Sequence, residues 1–275
     1  MDFDHTKLAD RLLPAAIAAG AAILRHTRVG FAVESKADRS PVTAADREAE
    51  EIILEALQRA APGVPVVAEE AMSRGDRPAI GSTFFLVDAL DGTREFVAGG
   101  AEFTVNIALV VDRTPQFGIV YAPALSQLYF TLGADSAASL SIPPDVEPTS
   151  VFKANATPLH TREPDPERLV SVNSRSHRTA EDDRFQVDPR IASTRTIGSS
   201  LKFCLVAKGE ADIYPRFGAT NEWDTAAGHA IVLAAGGLVT TFEKEPLLYG
   251  KADANFVNPP FVAWARPSLA ETFRL

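Results

Sequence analysis

The chain has one cysteine, Cys204, in 275 residues. No intrachain disulfide can form, and no CxxC or other zinc-type spacing occurs, which fits a reducing compartment. Positive charge is scarce: 27 Lys and Arg face 36 Asp and Glu, for a net charge of -9. No run of Lys or Arg offers the basic patch a polyanion needs, so a long nucleic acid is not an expected partner, while a small nucleotide remains open. Long apolar runs are missing too. The longest, residues 12–24, is too short to span a bilayer and follows Asp2, Asp4 and Asp10 instead of a basic flank. Its pattern is amphipathic, but the acidic balance gives no attraction to anionic lipid. A cytoplasmic location is expected, with a peripheral place at the inner membrane left open. No internal repeat occurs, and nothing fixes an oligomeric state.

Leu8, Leu12, Ala16, Ala19 and Ile23 recur at helical spacing. Pro14 predicts a kink, or a helix starting near it. Residues 43–60 predict a second helix capped by Thr43, with Asp46 three residues on as a capping-box variant. A short strand over 64–68 delivers Glu69 and Glu70, another ends at Asp88, and three more form a meander up to residue 133. Residues 133–168 are small, polar and proline-containing, and predict an exposed excursion near a domain boundary. Beyond them strands alternate with helices. The expected division is an α+β half over 1–150 with most of the acids and an α/β half over 151–275. Phe103, Val105, Ile107 and Leu109 alternate as a core face, residues 226–237 read as a small-residue helix packed closely on a sheet, and Cys204 reads as a buried small hydrophobe.

Glu69, Asp88, Asp91 and Asp224 fall at predicted strand ends or helix starts, where an α/β architecture opens to a cleft. Carboxylates with a backbone carbonyl, here Leu90, are the hard oxygen set that Mg²⁺ prefers. Gly92 and Thr93 would then open a helix whose free N–H groups face an anion. Metal charge beside phosphate donors suggests phosphate-ester chemistry. Taken singly, each has a plainer reading: a tight Asp-Gly turn, a solvated strand end at Glu69, and first-turn helix charges at Asp46 and Asp224. Their joint order shifts the balance.

At these residues the sequence resembles the inositol monophosphatase superfamily. VAEE (67–70), DALDGT (88–93) and WDTAAG (223–228) look like its three signatures. SKADRSPVTAAD (35–46), AEFTVNIAL (101–109) and IGSSLKFCLVAKGEADIYPRFG (197–218) resemble the bacterial 3'(2'),5'-bisphosphate nucleotidase branch. The resemblance implies a layered αβαβα sugar-phosphatase fold and Mg²⁺-dependent removal of the 3'-phosphate of adenosine 3',5'-bisphosphate, with the phosphosulfate analogue as a second substrate. Lithium sensitivity goes with it. The family usually has proline where this chain has Ala89, which leaves that loop less preorganised.

By the same resemblance, Glu69, Asp88, Asp91, Asp224 and the Leu90 carbonyl would hold two or three Mg²⁺ ions. Asp46, Glu69 and Thr93 would be catalytic, orienting the attacking water and accepting its proton. The reacting phosphate would lie against Glu69, Leu90, Asp91, Gly92, Thr93 and Asp224. His177, Ser199, Lys202 and Arg216 would surround the nucleotide, Lys202 or Arg216 pairing with the second phosphate. Their plainer readings are a helix cap for His177, an exposed helix charge for Lys202 and a solvated strand end for Arg216. An inositol- or sugar-phosphate phosphatase shares the metal site, but the SSLK and YPRFG blocks speak against it. A catalytically silent binding protein would not need every ligand and the Thr93–Asp46 pair.

Overall fold

The computed structural model describes residues 3–29, 33–35, 41–146 and 155–274, so residues 36–40 of the 35–46 block and 147–154 of the polar stretch lie outside it. Helix α1 (His5–Val29) continues through Pro14. The helix therefore does not start near the proline, the second of the two expectations. Proline costs a helix interior about 3 kcal/mol, and burial of Leu12, Leu13, Ala16, Ile17 and Ile23 offsets it, each large side chain contributing ~1.5–3 kcal/mol. Strands β1 (Val33–Ser35) and β2 (Pro41–Thr43) form a small antiparallel pair. Helix α2 (Ala44–Ala60) begins with the predicted box: Thr43 Oγ1 accepts the Ala45 N–H, and Asp46 accepts the Thr43 N–H.

A seven-stranded sheet follows: β3 (Val66–Ala68), β4 (Thr83–Asp91), β5 (Thr104–Val111), β6 (Thr114–Ala122), β7 (Gln127–Gly133), β8 (Ser136–Ser141) and β9 (Thr157–Pro158), paired in that order. β3 and β4 are parallel and the other pairs antiparallel. Helices α3 (Glu69–Ser73) and α4 (Thr93–Val97) follow β3 and β4 directly. Much of the stretch expected to be exposed therefore extends this sheet, with Ala137, Ala138, Ile142 and Leu159 buried. Its alternation of alanine and serine was too weak to register as a core face.

A second sheet contains β10 (Leu169–Ser174), β11 (Ile191–Ile197), β12 (Ile213–Arg216), β14 (Leu238–Thr241) and β16 (Phe261–Trp264) in the order β11-β10-β12-β16-β14. The strands β13 (Thr220–Asn221) and β15 (Val257–Asn258) pair separately. β10, β11 and β12 are parallel, as alternation with helices predicts, whereas β16 is antiparallel to both neighbours. The helices here are α5 (Ala180–Gln186), α6 (Leu201–Ala207), α7 (Glu222–Ala234) and α8 (Pro267–Thr272).

Alternate residues of β4 face opposite layers, as the pleat requires. Phe85 and Val87 pack toward α1 and α2, while Phe84 and Leu86 meet Phe203 and Ile231 of α6 and α7. The far face of the second sheet packs Ile213, Val262 and Trp264 on Leu269 and Phe273. The layers thus run helix, sheet, helix, sheet, helix. α7 lies so close to β6 that a Cβ on Gly118 would sit 2.3 Å from the Ala227 carbonyl oxygen, which is why this helix presents alanines.

Candidate active site

β4 does not stop at Asp88 but continues to Asp91. Residues three apart on a regular strand point to opposite faces. Here Asp88 pairs with Asn106 and Asp91 with Thr104, so one extra β4 residue is accommodated in a bulge. Both carboxylates consequently reach the same cleft, of about 320 Å³. Gly92 follows with φ +92°, and a Cβ there would lie 2.3 Å from Ser199 Oγ. Both facts demand glycine.

Glu69 arrives from the end of β3, parallel to β4, and Asp224 from the third position of α7, where it accepts the Asn221 N–H at 2.9 Å. Carboxylate oxygens of Glu69, Asp88 and Asp224 lie within 4.8 Å of one another. Asp91 lines the same cleft beside this trio but is not one of the three. Its Oδ2 accepts from Ser200 N at 2.7 Å and Ser200 Oγ at 3.1 Å. Ser200 was not anticipated, although it stands inside the SSLK block. Burial, then the charges of Glu69, Asp91 and Asp224, hold the Asp88 carboxyl well above its usual range. Burial, then Asp91 and Glu69, do the same to Asp224. Asp91 is raised by burial and partly relieved by Lys202. Crowded oxygen donors that repel one another are the donor set a divalent cation fits.

Asp46 is buried behind Thr93 and does not line the cleft. Its Oδ1 lies 3.1 Å from Thr93 Oγ1, and its Oδ2 accepts the Thr43 N–H and hydroxyl at 2.7 Å each. Thr93 Oγ1 also stands 3.1 Å from the Leu90 carbonyl oxygen.

The opposite wall is basic. Lys202 and Arg216 are each only 6% exposed, so the plainer readings of a surface helix charge and a solvated strand end do not hold. Lys202 Nζ donates to Ser199 O at 2.6 Å, and burial pushes its pKa down to about 8 against the pull of Asp91. Arg216 donates to the carbonyls of Gly218, Ala219 and His177 at 3.1, 3.1 and 3.3 Å. Among the described residues neither cation forms an ion pair with a carboxylate. His177 is held below its usual pKa by burial, then by Arg216 and Arg94. Ser199 adopts φ +52°, and its hydroxyl lies 2.8 Å from the carbonyls of Asp91 and Glu102, bridging the sheets. Arg94, Glu95 and Glu102 were not anticipated as site neighbours, though Glu102 belongs to the AEFTVNIAL block.

This fold and this acid-and-base cleft are those of a phosphatase family. The model of the inositol monophosphatase family matches residues 4–270, and the chain belongs to that family. Its enzymes depend on a divalent metal, typically Mg²⁺. Among curated proteins, the 3'(2'),5'-bisphosphate nucleotidase CysQ of Escherichia coli K12 is 43% identical over 229 residues, 83% of this chain and 87% of that one. The CysQ of Buchnera aphidicola is 36% identical over 94% of both chains. Of solved structures, CysQ from Bacteroides thetaiotaomicron superposes with a TM-score of 0.78 at 37% identity, covering 95% of this chain and 98% of that one. An IMPase from Thermotoga maritima reaches 0.75 at 25% identity, covering 98% and 95%.

Proposed function

We propose that the chain is a 3'(2'),5'-bisphosphate nucleotidase that removes the 3'-phosphate of adenosine 3',5'-bisphosphate, giving AMP and phosphate, and that also accepts the phosphosulfate analogue. One observation carries the choice of substrate. Two buried cations without carboxylate partners, Lys202 and Arg216, share the cleft with the acid trio. A buried charge needs compensation, and a substrate with a second anionic group supplies it. Asp91, Glu95 and Asp224 offset these charges only through space, and a monophosphate offers that wall no second anion.

Glu69, Asp88, Asp91, Asp224 and the Leu90 carbonyl hold the metal in this reading. Two or three Mg²⁺ ions bound there would supply Lewis-acid chemistry, making the attacking water more acidic and offsetting the charge that builds on the ester. The chain's own groups do the rest. Thr93 Oγ1 orients the water and passes its proton toward Asp46 Oδ1, along the bond already formed. Glu69 would share in orienting the water and accepting its proton. The N–H groups of Gly92 and Thr93 hold phosphate oxygens as charge builds. His177, Ser199, Lys202 and Arg216 set the nucleotide. A cytoplasmic setting fits such a substrate and the free, buried Cys204.

Phosphate release from adenosine 3',5'-bisphosphate, inositol 1-phosphate and fructose 1,6-bisphosphate, each with and without Mg²⁺, tests the reading. Mg²⁺-dependent turnover dominated by the adenosine bisphosphate is expected. Preference for either of the other two overturns the substrate, and no turnover with any overturns the enzyme.

A further inference from the structure

Arg94 has no part in the roles above. It follows Thr93 in α4 and stands exposed on the cleft wall. Among the described residues its polar partner is another base: Nη1 lies 3.3 Å from His177 Nε2. The acids around it are engaged elsewhere. Glu95 accepts the Ser176 hydroxyl. Glu102 takes both Arg175 Nε and Nη2 at 2.7 Å and the Gly198 N–H at 2.7 Å. Arg175, Ser176 and His177 are thus registered in turn against Glu102, Glu95 and Arg94, which fixes Arg94 opposite His177.

A guanidinium only donates, so His177 Nε2 must accept and the ring proton falls on Nδ1. A donor at 3.3 Å from a neutral ring nitrogen is readily exchanged for an oxyanion. The two buried cations differ in kind. Lys202 and Arg216 are committed to backbone carbonyls, so they supply a fixed positive field. Arg94 is the exposed member of the wall, with a planar fork matched to phosphate.

We propose that Arg94 is a specificity-determining residue that exchanges His177 for the non-reacting phosphate of the substrate and clamps it at the cleft mouth. This rests on the nucleotidase reading. The ligand is a phosphomonoester dianion borne on the same molecule as the ester being cleaved.

The test compares kcat/KM for adenosine 3',5'-bisphosphate with that for adenosine 3'-monophosphate, in the unaltered chain, Arg94→Ala and Arg94→Lys. In Arg94→Ala the ratio should fall about tenfold or more, the loss of a charge-assisted contact, and the change should lie in KM. Arg94→Lys should recover part of it, since an ammonium keeps the charge but not the fork. Inhibition by AMP, which carries the retained phosphate, should weaken by a similar factor. A ratio that Arg94→Ala leaves unchanged, whether both substrates suffer equally or neither does, overturns the inference alone. An unaltered chain that does not prefer the bisphosphate overturns the nucleotidase reading, and this inference with it.

Discussion

Asp46 and Thr93 are 47 residues apart in the chain and meet at 3.1 Å, carboxylate to hydroxyl. The other Asp46 oxygen caps α2, so one side chain serves both helix and site. Thr93→Ala should lower kcat by about a hundredfold or more if the pair moves a proton, with little change in melting temperature. Asp46→Asn can keep the cap through its carbonyl oxygen while its amide donates to Thr93, reversing the bond. Turnover should fall as far as in Thr93→Ala, with the fold intact. Steady-state kinetics beside thermal melts check both, and near-normal turnover in either variant would remove the pair from the mechanism.

Like charges close together destabilise a fold until a cation joins them. Saturating Mg²⁺, at a hundred times its Kd, should stabilise the chelator-treated protein by about 2.7 kcal/mol for each ion bound. Asp88→Asn should melt higher than the unaltered chain in chelator and show a smaller Mg²⁺ shift. A lower melting point in chelator would mean that this carboxylate is compensated by something other than metal.

The hydrogen bond from Arg175 holds the Glu102 carboxyl below its ordinary 4.5. A depressed acid binds fewer protons folded than unfolded, so its stabilisation is full above about pH 4.5 and fades as the pH falls through the folded value. Glu102→Gln should cost about 1–2 kcal/mol at pH 7, with solvent screening at the half-exposed Arg175 favouring the lower figure. The gap should narrow progressively as the pH falls below about 4.5. Urea titrations at several pH values measure it, and a pH-independent gap would assign the loss to packing.

Gly118→Ala pushes a methyl group into the Ala227 backbone, and neither β6 nor α7 can yield cheaply. About 1–3 kcal/mol of stability should be lost, as in other overpacked cores. Because α7 carries Asp224, Mg²⁺ affinity should weaken as well. Denaturant midpoints and Mg²⁺ titrations report the two effects separately.

The acids were readable because their surroundings are local: Glu69 directly follows a strand, Asp224 sits three residues from its cap, and Asp88 and Asp91 close a strand before Gly92. What spacing alone could not supply was the bulge that turns Asp88 and Asp91 to one side, since that depends on the pairing with β5. The burial of Lys202 and Arg216 was hidden for the same reason. The resemblance set both beside the nucleotide, but spacing alone left a surface charge as the plainer reading of each. Pro14 misled because its local cost is visible in the sequence and the tertiary burial that outweighs it is not. Ser200, Arg94 and Glu102 act on partners from the other half of the chain, a distance no periodicity encodes.

α7 is the shared wall of both sheets, and its first turn bears Asp224. The helix is seated mainly on β4, β5 and β6, so a shift of the helix on that sheet would carry Asp224 away and leave Asp88 and Glu69 without it. Chemistry here is hostage to architecture: the last acid is set by how one helix docks, so an incompletely docked chain is also an inert one.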